Sequence, residues 1–171
     1  LGVIGIPLTI IWIVALTNAF NLIDGLDGLS CGVSSVCSVA FFSVGIISQN
    51  SSLMLISAVL FGSTLGFLPY NFNPAKIFMG DTGAMFLGYI FASAAVLGVY
   101  QTPTNISMAV PFIICGLPIF DTSFAFVRRI ISGKSPFSAD RGHLHHKLID
   151  RGLTQKQTVL FLYTVSILLS I

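Results

Sequence analysis

Thirteen of the fourteen charged side chains fall in three short polar stretches, residues 18–28, 71–83 and 128–156, and the chain between them is almost uniformly apolar. Only Asp121 stands outside these stretches. Charged residues make up about a quarter of an ordinary soluble domain. Here they make up 8%, against 54% hydrophobic, with a mean hydropathy of +0.93 and no glutamate. A soluble core cannot hide that much apolar surface, so the pattern implies a polar site built at the rim of a membrane domain. The length allows one domain of ordinary size. Cys31, Cys37 and Cys115 all lie in apolar runs, odd in number and without CxxC or Cys/His spacing. That argues against a disulfide framework or a zinc site and leaves them as small buried hydrophobes.

Six apolar segments can be marked, at residues 1–17, 29–48, 53–70, 84–100, 106–127 and 158–171. Most approach the ~20 residues a spanning helix requires. They are too long and continuous for the alternating strands of a barrel, and in lipid only helices or closed barrels satisfy the backbone. The expected fold is therefore an all-α integral membrane protein with about six transmembrane helices. Residues 1–171 form one polytopic domain in this reading. The chain opens and stops inside apolar runs, so it reads as a piece of a longer protein, truncated at both ends.

Alternating the spans puts the segments after the first, third and fifth on one side. Those segments hold all eight Lys and Arg residues, and the other two connections hold none. The positive-inside rule then places the charged segments on the cytoplasmic side of a multi-pass membrane protein. The same alternation brings them together in space.

Each segment carries a constellation. In the first, Asn21, Asp24 and Asp27 recur every three residues, which puts them on one face if the segment is helical. Two carboxylates and an amide oxygen make a hard-oxygen set suited to Mg²⁺ or to sugar hydroxyls; the competing reading is a helix cap with solvated aspartates. In the second, Asp81 sits between glycines ahead of the fourth span, placed to cap that helix or to face a metal. Asn71 and Phe78 offer an amide and a ring to a planar ligand such as a nucleobase, although Phe78 equally suits an interfacial anchor.

The third segment packs Arg141, His143, His145, His146 and Lys147 into seven residues. That is a donor array for phosphate or pyrophosphate; a solvated amphipathic helix is the plainer alternative. A zinc site is less attractive, because no cysteine is near and Arg141 and Lys147 would repel the ion. Asp121 lies seven residues before Arg128, inside the fifth span. An ionisable residue there is functional or paired, with a basic group near the membrane surface as the expected partner. Carboxylates for a cation, basic donors for phosphates and a membrane wall fit an enzyme moving a phosphorylated group between a nucleotide and a lipid. Positioning and charge neutralisation are most of what phosphoryl chemistry needs.

Three motifs, N-x-x-N-x-x-D-G-x-D-G-L at residues 18–29, N-P-A-K-I-F-M-G-D-T-G at 73–83 and D-R-G-H-L-H-H at 140–146, resemble in order and spacing those of the polyprenyl-phosphate N-acetylhexosamine-1-phosphate transferases, glycosyltransferase family 4. The resemblance covers essentially the whole chain. It implies a fold of about ten helices with cytoplasmic catalytic loops, of which this chain resembles the C-terminal part. It implies transfer of a sugar 1-phosphate from a UDP-sugar to a polyprenyl phosphate with release of UMP, dependent on Mg²⁺. By motif position Asp81 and Asn21 resemble the metal ligands, and Asp24 and Asp27 resemble residues contacting nucleotide and sugar. Asn71 and Phe78 resemble the nucleobase pocket. Arg141, His143, His145 and His146 resemble the loop holding pyrophosphate and sugar. Asp81, Asp24, Asp27, His145 and His146 are thereby the catalytic candidates.

The His-x-His-His form after Asp-Arg looks like the branch that uses UDP-N-acetylglucosamine and undecaprenyl phosphate to prime teichoic acid, O-antigen or related polymers. The alternative within the family is the phospho-N-acetylmuramoyl-pentapeptide transferase of peptidoglycan synthesis. Expected partners are UDP-N-acetylglucosamine, undecaprenyl phosphate and the bilayer, with a homodimer allowed and no nucleic acid. The family's paired-aspartate motif has no counterpart here, so this 171-residue piece is expected to be inactive alone. Two readings from other classes stand beside the transferase. A transporter would place its polar groups near the bilayer midplane, which these spans do not. A catalytically dead nucleotide or lipid binder would keep the motifs without turnover.

Overall fold

The computed structural model describes residues 2–101, 105–133, 135 and 142–171. Eight helices account for most of them, and no strand occurs among the described residues. In order they are α1 (Gly2–Ile23), α2 (Leu29–Ile47), α3 (Ser51–Asn71), α4 (Gly80–Gln101), α5 (Asn105–Ile114), α6 (Gly116–Ile131), α7 (Leu144–Asp150) and α8 (Gln155–Ser170). The chain is an all-α membrane protein. Four stretches, Val3–Ile23, Leu29–Ile47, Ser51–Asn71 and Gly80–Gly98, are helices long and apolar enough to cross a bilayer.

The other two expected spans differ from the pattern. The fifth breaks at Cys115 into α5 and α6. Pro118 has no N–H to give to the carbonyl of Ile114, one turn back, and that carbonyl accepts instead from the Cys37 thiol of α2 at 3.3 Å. The sixth, α8, has 16 residues, or about 24 Å at 1.5 Å each, against a bilayer core of about 30 Å. It opens with a reciprocal cap in which the Thr154 hydroxyl accepts from Gln157 N–H and the Gln157 side chain accepts from Thr154 N–H.

Two boundaries also move. The expected end of the first span at residue 17 becomes Ile23, because Phe20 and Ile23 are buried in the core and Asn18 turns its amide back onto the Val14 carbonyl at 2.7 Å. Asn18 and Asn21 are thus helical residues. Asp81, likewise, lies in the first turn of α4, directly after Gly80 at φ +67°.

Packing runs in two layers of contacts, α1 against α4 and α6, and α2 against α3 and α8. Phe20, Phe91 and Phe41 stack in series through the centre, with ring centroids 5.2 and 5.7 Å apart. Close helix approach depends on small residues. A Cβ on Gly88 of α4 would sit 2.8 Å from the Leu16 carbonyl oxygen of α1. Between α2 and α3 the Ser35 hydroxyl donates to Thr64 Oγ1 at 2.8 Å. Outward-facing side chains are apolar: Val3, Ile6, Ile11 and Val14 on α1, Leu55 and Val59 on α3, Phe86 and Tyr89 on α4. In water such a surface is an association hazard; against acyl chains it is the matching solvent.

Candidate active site

The three charged segments meet at one end of the bundle. Asn21, on the last turn of α1, donates its amide to Asp81 Oδ1 on the first turn of α4 at 3.1 Å. The turn following α1 carries Asp24 to Asp27. That turn, Asn71 at the end of α3, and Phe78 and Met79 ahead of α4 line an open cleft of about 200 Å³. Phe78 stands 74% exposed at its edge. Asn71 is buried, and its amide nitrogen donates to the Ile77 carbonyl at 3.0 Å. Its Oδ1 is buried without a partner among the described residues. An acceptor left so in a cleft wall suits a ligand N–H, since an unpaired buried polar atom costs about 1–3 kcal/mol.

Electrostatics at this end are dominated by carboxylates. Burial pushes Asp24 up to about 7, helped by the negative charges of Asp81 and Asp27. Carboxylate charge there is under-compensated, and hard anionic oxygens of this kind fit a divalent cation of the Mg²⁺ type. Among the described residues no three His, Cys, Asp or Glu side chains form a ready-made cage. Mg²⁺ usually takes one or two carboxylates and completes its shell with water and substrate phosphate, and Asp81 with Asn21 is the pair that could hold such an ion here.

Asp27 has a visible structural task. Its Oδ2 accepts from Asn73 Nδ2 at 3.0 Å and from Ala75 N–H at 3.1 Å. The Asn73 amide also donates to Gln155 Oε1 at 2.8 Å, so Asp27 fastens the second segment to the first and to the start of α8. Asn73 and Gln155 were not foreseen as site residues. Asn73 lies within the second motif, but nothing in its spacing signals an Asp27 partner, and Gln155 carries no sequence signal at all.

Arg141 lies outside the described residues. The remaining histidine segment folds into the short helix α7, and its side chains divide between two directions. His143 and His145 are buried, while His146 is half-buried and Lys147 exposed. His143 Nδ1 lies 2.9 Å from Asp121 Oδ2, within hydrogen-bond distance, and Leu144 N–H donates to Asp121 Oδ1 at 2.7 Å. The partner expected for Asp121 is thus a histidine of the third segment. His143 and His145 stack nearly parallel, 5.7 Å apart at 8°, and His145 lies 4.3 Å from the His146 ring. His145 also reaches the cleft wall, since a Cβ on Gly25 would stand 2.5 Å from its Nε2. Burial pulls His145 down to about 4, with repulsion from His146 adding to it and Asp121 opposing. It is therefore neutral at pH 7, and its Nε2 is buried without a partner among the described residues.

Sequence comparison bears on what this site is. The profile of glycosyl transferase family 4 matches residues 1–99. Over 173 aligned residues the chain is 50% identical to a probable undecaprenyl-phosphate N-acetylglucosaminyl 1-phosphate transferase of Bacillus subtilis, covering 100% of this chain and 48% of that protein. An undecaprenyl-phosphate alpha-N-acetylglucosaminyl 1-phosphate transferase of Thermotoga maritima is 35% identical over 162 residues, covering 95% and 49%. A phospho-N-acetylmuramoyl-pentapeptide-transferase of Desulforudis audaxviator is 32% identical over 166 residues, covering 95% and 47%. The chain spans about half the length of the curated relatives it matches. With Asn21, Asp24, Asp27, Asn71, Phe78 and Asp81 all inside the matched region, the chain belongs to glycosyl transferase family 4.

Proposed function

We propose that the whole protein transfers N-acetylglucosamine 1-phosphate from UDP-N-acetylglucosamine to undecaprenyl phosphate, releasing UMP, at the cytoplasmic face of the plasma membrane. This would be the first membrane step of a cell-envelope polysaccharide of the teichoic acid or O-antigen type. One observation carries the reading: a carboxylate cleft and a histidine-bearing helix converge at one end of an apolar bundle. The names of the Bacillus and Thermotoga relatives support the donor and the lipid.

In this reading the lipid phosphate oxygen attacks the β-phosphorus, and the bond from that phosphorus to the bridging oxygen of UMP breaks. Asn71 and Phe78 hold the base at the cleft edge, the orphaned Asn71 Oδ1 accepting from it. Asp27 keeps the second segment in place through Asn73 and Ala75. His145, neutral and buried against Gly25, offers an uncharged nitrogen rather than a cation. His146 and Lys147 remain the outward donors for phosphate. Asp81 and Asn21 would hold Mg²⁺, which when bound neutralises pyrophosphate charge.

The test is UMP release by membranes holding the full-length protein, given undecaprenyl phosphate and Mg²⁺. Release with UDP-N-acetylglucosamine alone is expected. Release only with the muramoyl-pentapeptide nucleotide would reassign the donor, and release with neither would overturn the transferase.

A further inference from the structure

We propose that Asp121 is the positioning residue of the histidine segment: it fixes the tautomer of His143 and fastens the start of α7 to the membrane domain, so that it acts on transfer through the histidines. This rests on the transferase reading above and adds a residue that touches no part of the cleft.

Asp121 sits on α6, one turn past the Pro118 break, and is 4% exposed. A carboxylate so placed is costly unless every lone pair in reach is used. Both oxygens are engaged, Oδ2 by His143 Nδ1 and Oδ1 by Leu144 N–H. Leu144 is the first residue of α7, where backbone N–H groups lack intrahelical acceptors. His143 occupies the cap position but makes no side-chain cap of its own, so α6 supplies the cap from outside. The space left beside Asp121, Leu144 and His145 is about 10 Å³, room for one water at most. The arrangement is closed and has little freedom to slide.

An ionised carboxylate only accepts, so the 2.9 Å contact assigns a proton to His143 Nδ1, and in the uncharged ring the lone pair is then on Nε2. The contact then continues toward the cleft. His143 stacks on His145, and His145 lies against Gly25 in the cleft wall. Asp121 therefore sets where His145 stands without touching substrate.

Asp121→Asn isolates this role at constant volume. An amide has one acceptor oxygen, and the Leu144 N–H cannot change, so the oxygen stays there and the NH₂ turns to His143. The ring must then offer a lone pair at Nδ1 and hold its proton on Nε2. The experiment uses the full-length protein in lipid nanodiscs, with ¹⁵N-histidine NMR assigned through His143→Gln, together with steady-state UMP release. The wild type is expected to show Nδ1–H at His143 and Asp121→Asn to show Nε2–H. In the same variant kcat should fall about 10²-fold, the scale on which a misplacement of about 1 Å acts, while KM for the UDP-sugar stays within a factor of about three. Nε2–H in the wild type would overturn the proposal, as would Asp121→Asn with unchanged tautomer and kcat. If the variant does not fold, the wild-type tautomer decides alone. Absence of turnover in the wild type would overturn the transferase reading, and the tautomer would still decide whether Asp121 fixes His143.

Discussion

Replacing Gly25 by alanine is expected to disable the site through a single methyl group. That methyl would lie 2.5 Å from His145 Nε2 and 2.8 Å from its Cε1, closer than the 3.0 Å that real Cβ contacts essentially never breach. His145 has nowhere to go, being 2% exposed and held between the His143 and His146 rings. Overpacking of this kind costs about 1–3 kcal/mol, and a displacement of about 1 Å at a positioned group costs about 10²-fold in rate. Gly62→Ala is the internal control, because no atom lies within 4 Å of the added Cβ. It removes a flexible residue from the interior of α3 and should stabilise by about 0.5–1 kcal/mol. Thermal unfolding in detergent and UMP release in membranes read both. Gly25→Ala with wild-type melting and wild-type turnover would refute the packing argument.

Asp27→Ala strands the donors of Asn73 and Ala75; it should destabilise by about 1–3 kcal/mol and speed hydrogen exchange in residues 71–79. His145 gives a pH signature: its pKa falls from 6.5 unfolded to about 4 folded, so the unfolded state binds more protons between those values. Stability is then intact above pH 6.5 and declines as pH falls toward 4, by about 3 kcal/mol at 1.36 kcal/mol per unit, and His145→Gln should flatten that part of the melting profile. Asp81→Asn removes the carboxylate that faces Asn21; turnover should fall by about 10²-fold or more while the protein still inserts, and near-normal UMP release would remove Asp81 from the cation site.

Hydropathy and charge placement revealed the membrane class and the gathering of the three charged segments at one end of the bundle, because apolar runs and charges are properties of sequence position. Helix ends were less legible. The polar look of residues 18–23 concealed a helical turn that Phe20 and Ile23 bury, since tertiary packing outweighs local polarity there. The break at Cys115 was written in Pro111 and Pro118, although the Cys37 thiol that satisfies Ile114 came from another helix and left no trace. The Thr154–Gln157 cap follows a T-x-x-Q pattern that sequence reasoning can find.

Within the site, the convergence of Asn21, Asp24, Asp27, Asn71, Phe78 and Asp81 followed from alternation of the spans. The inward turn of His143 and His145 did not, because spacing within a histidine cluster says nothing about which ring meets Asp121. Nor did the Asp27–Asn73–Gln155 clasp, which joins residues 46 and 82 positions apart.

The most direct test of the central claim follows the phosphorus. UDP-N-acetylglucosamine labelled with ³²P at the β-position is incubated with undecaprenyl phosphate and membranes containing the full-length protein. Sugar-phosphate transfer predicts label in the lipid product and unlabelled UMP in the aqueous phase. Label retained in UDP, with sugar alone on the lipid, would contradict the account.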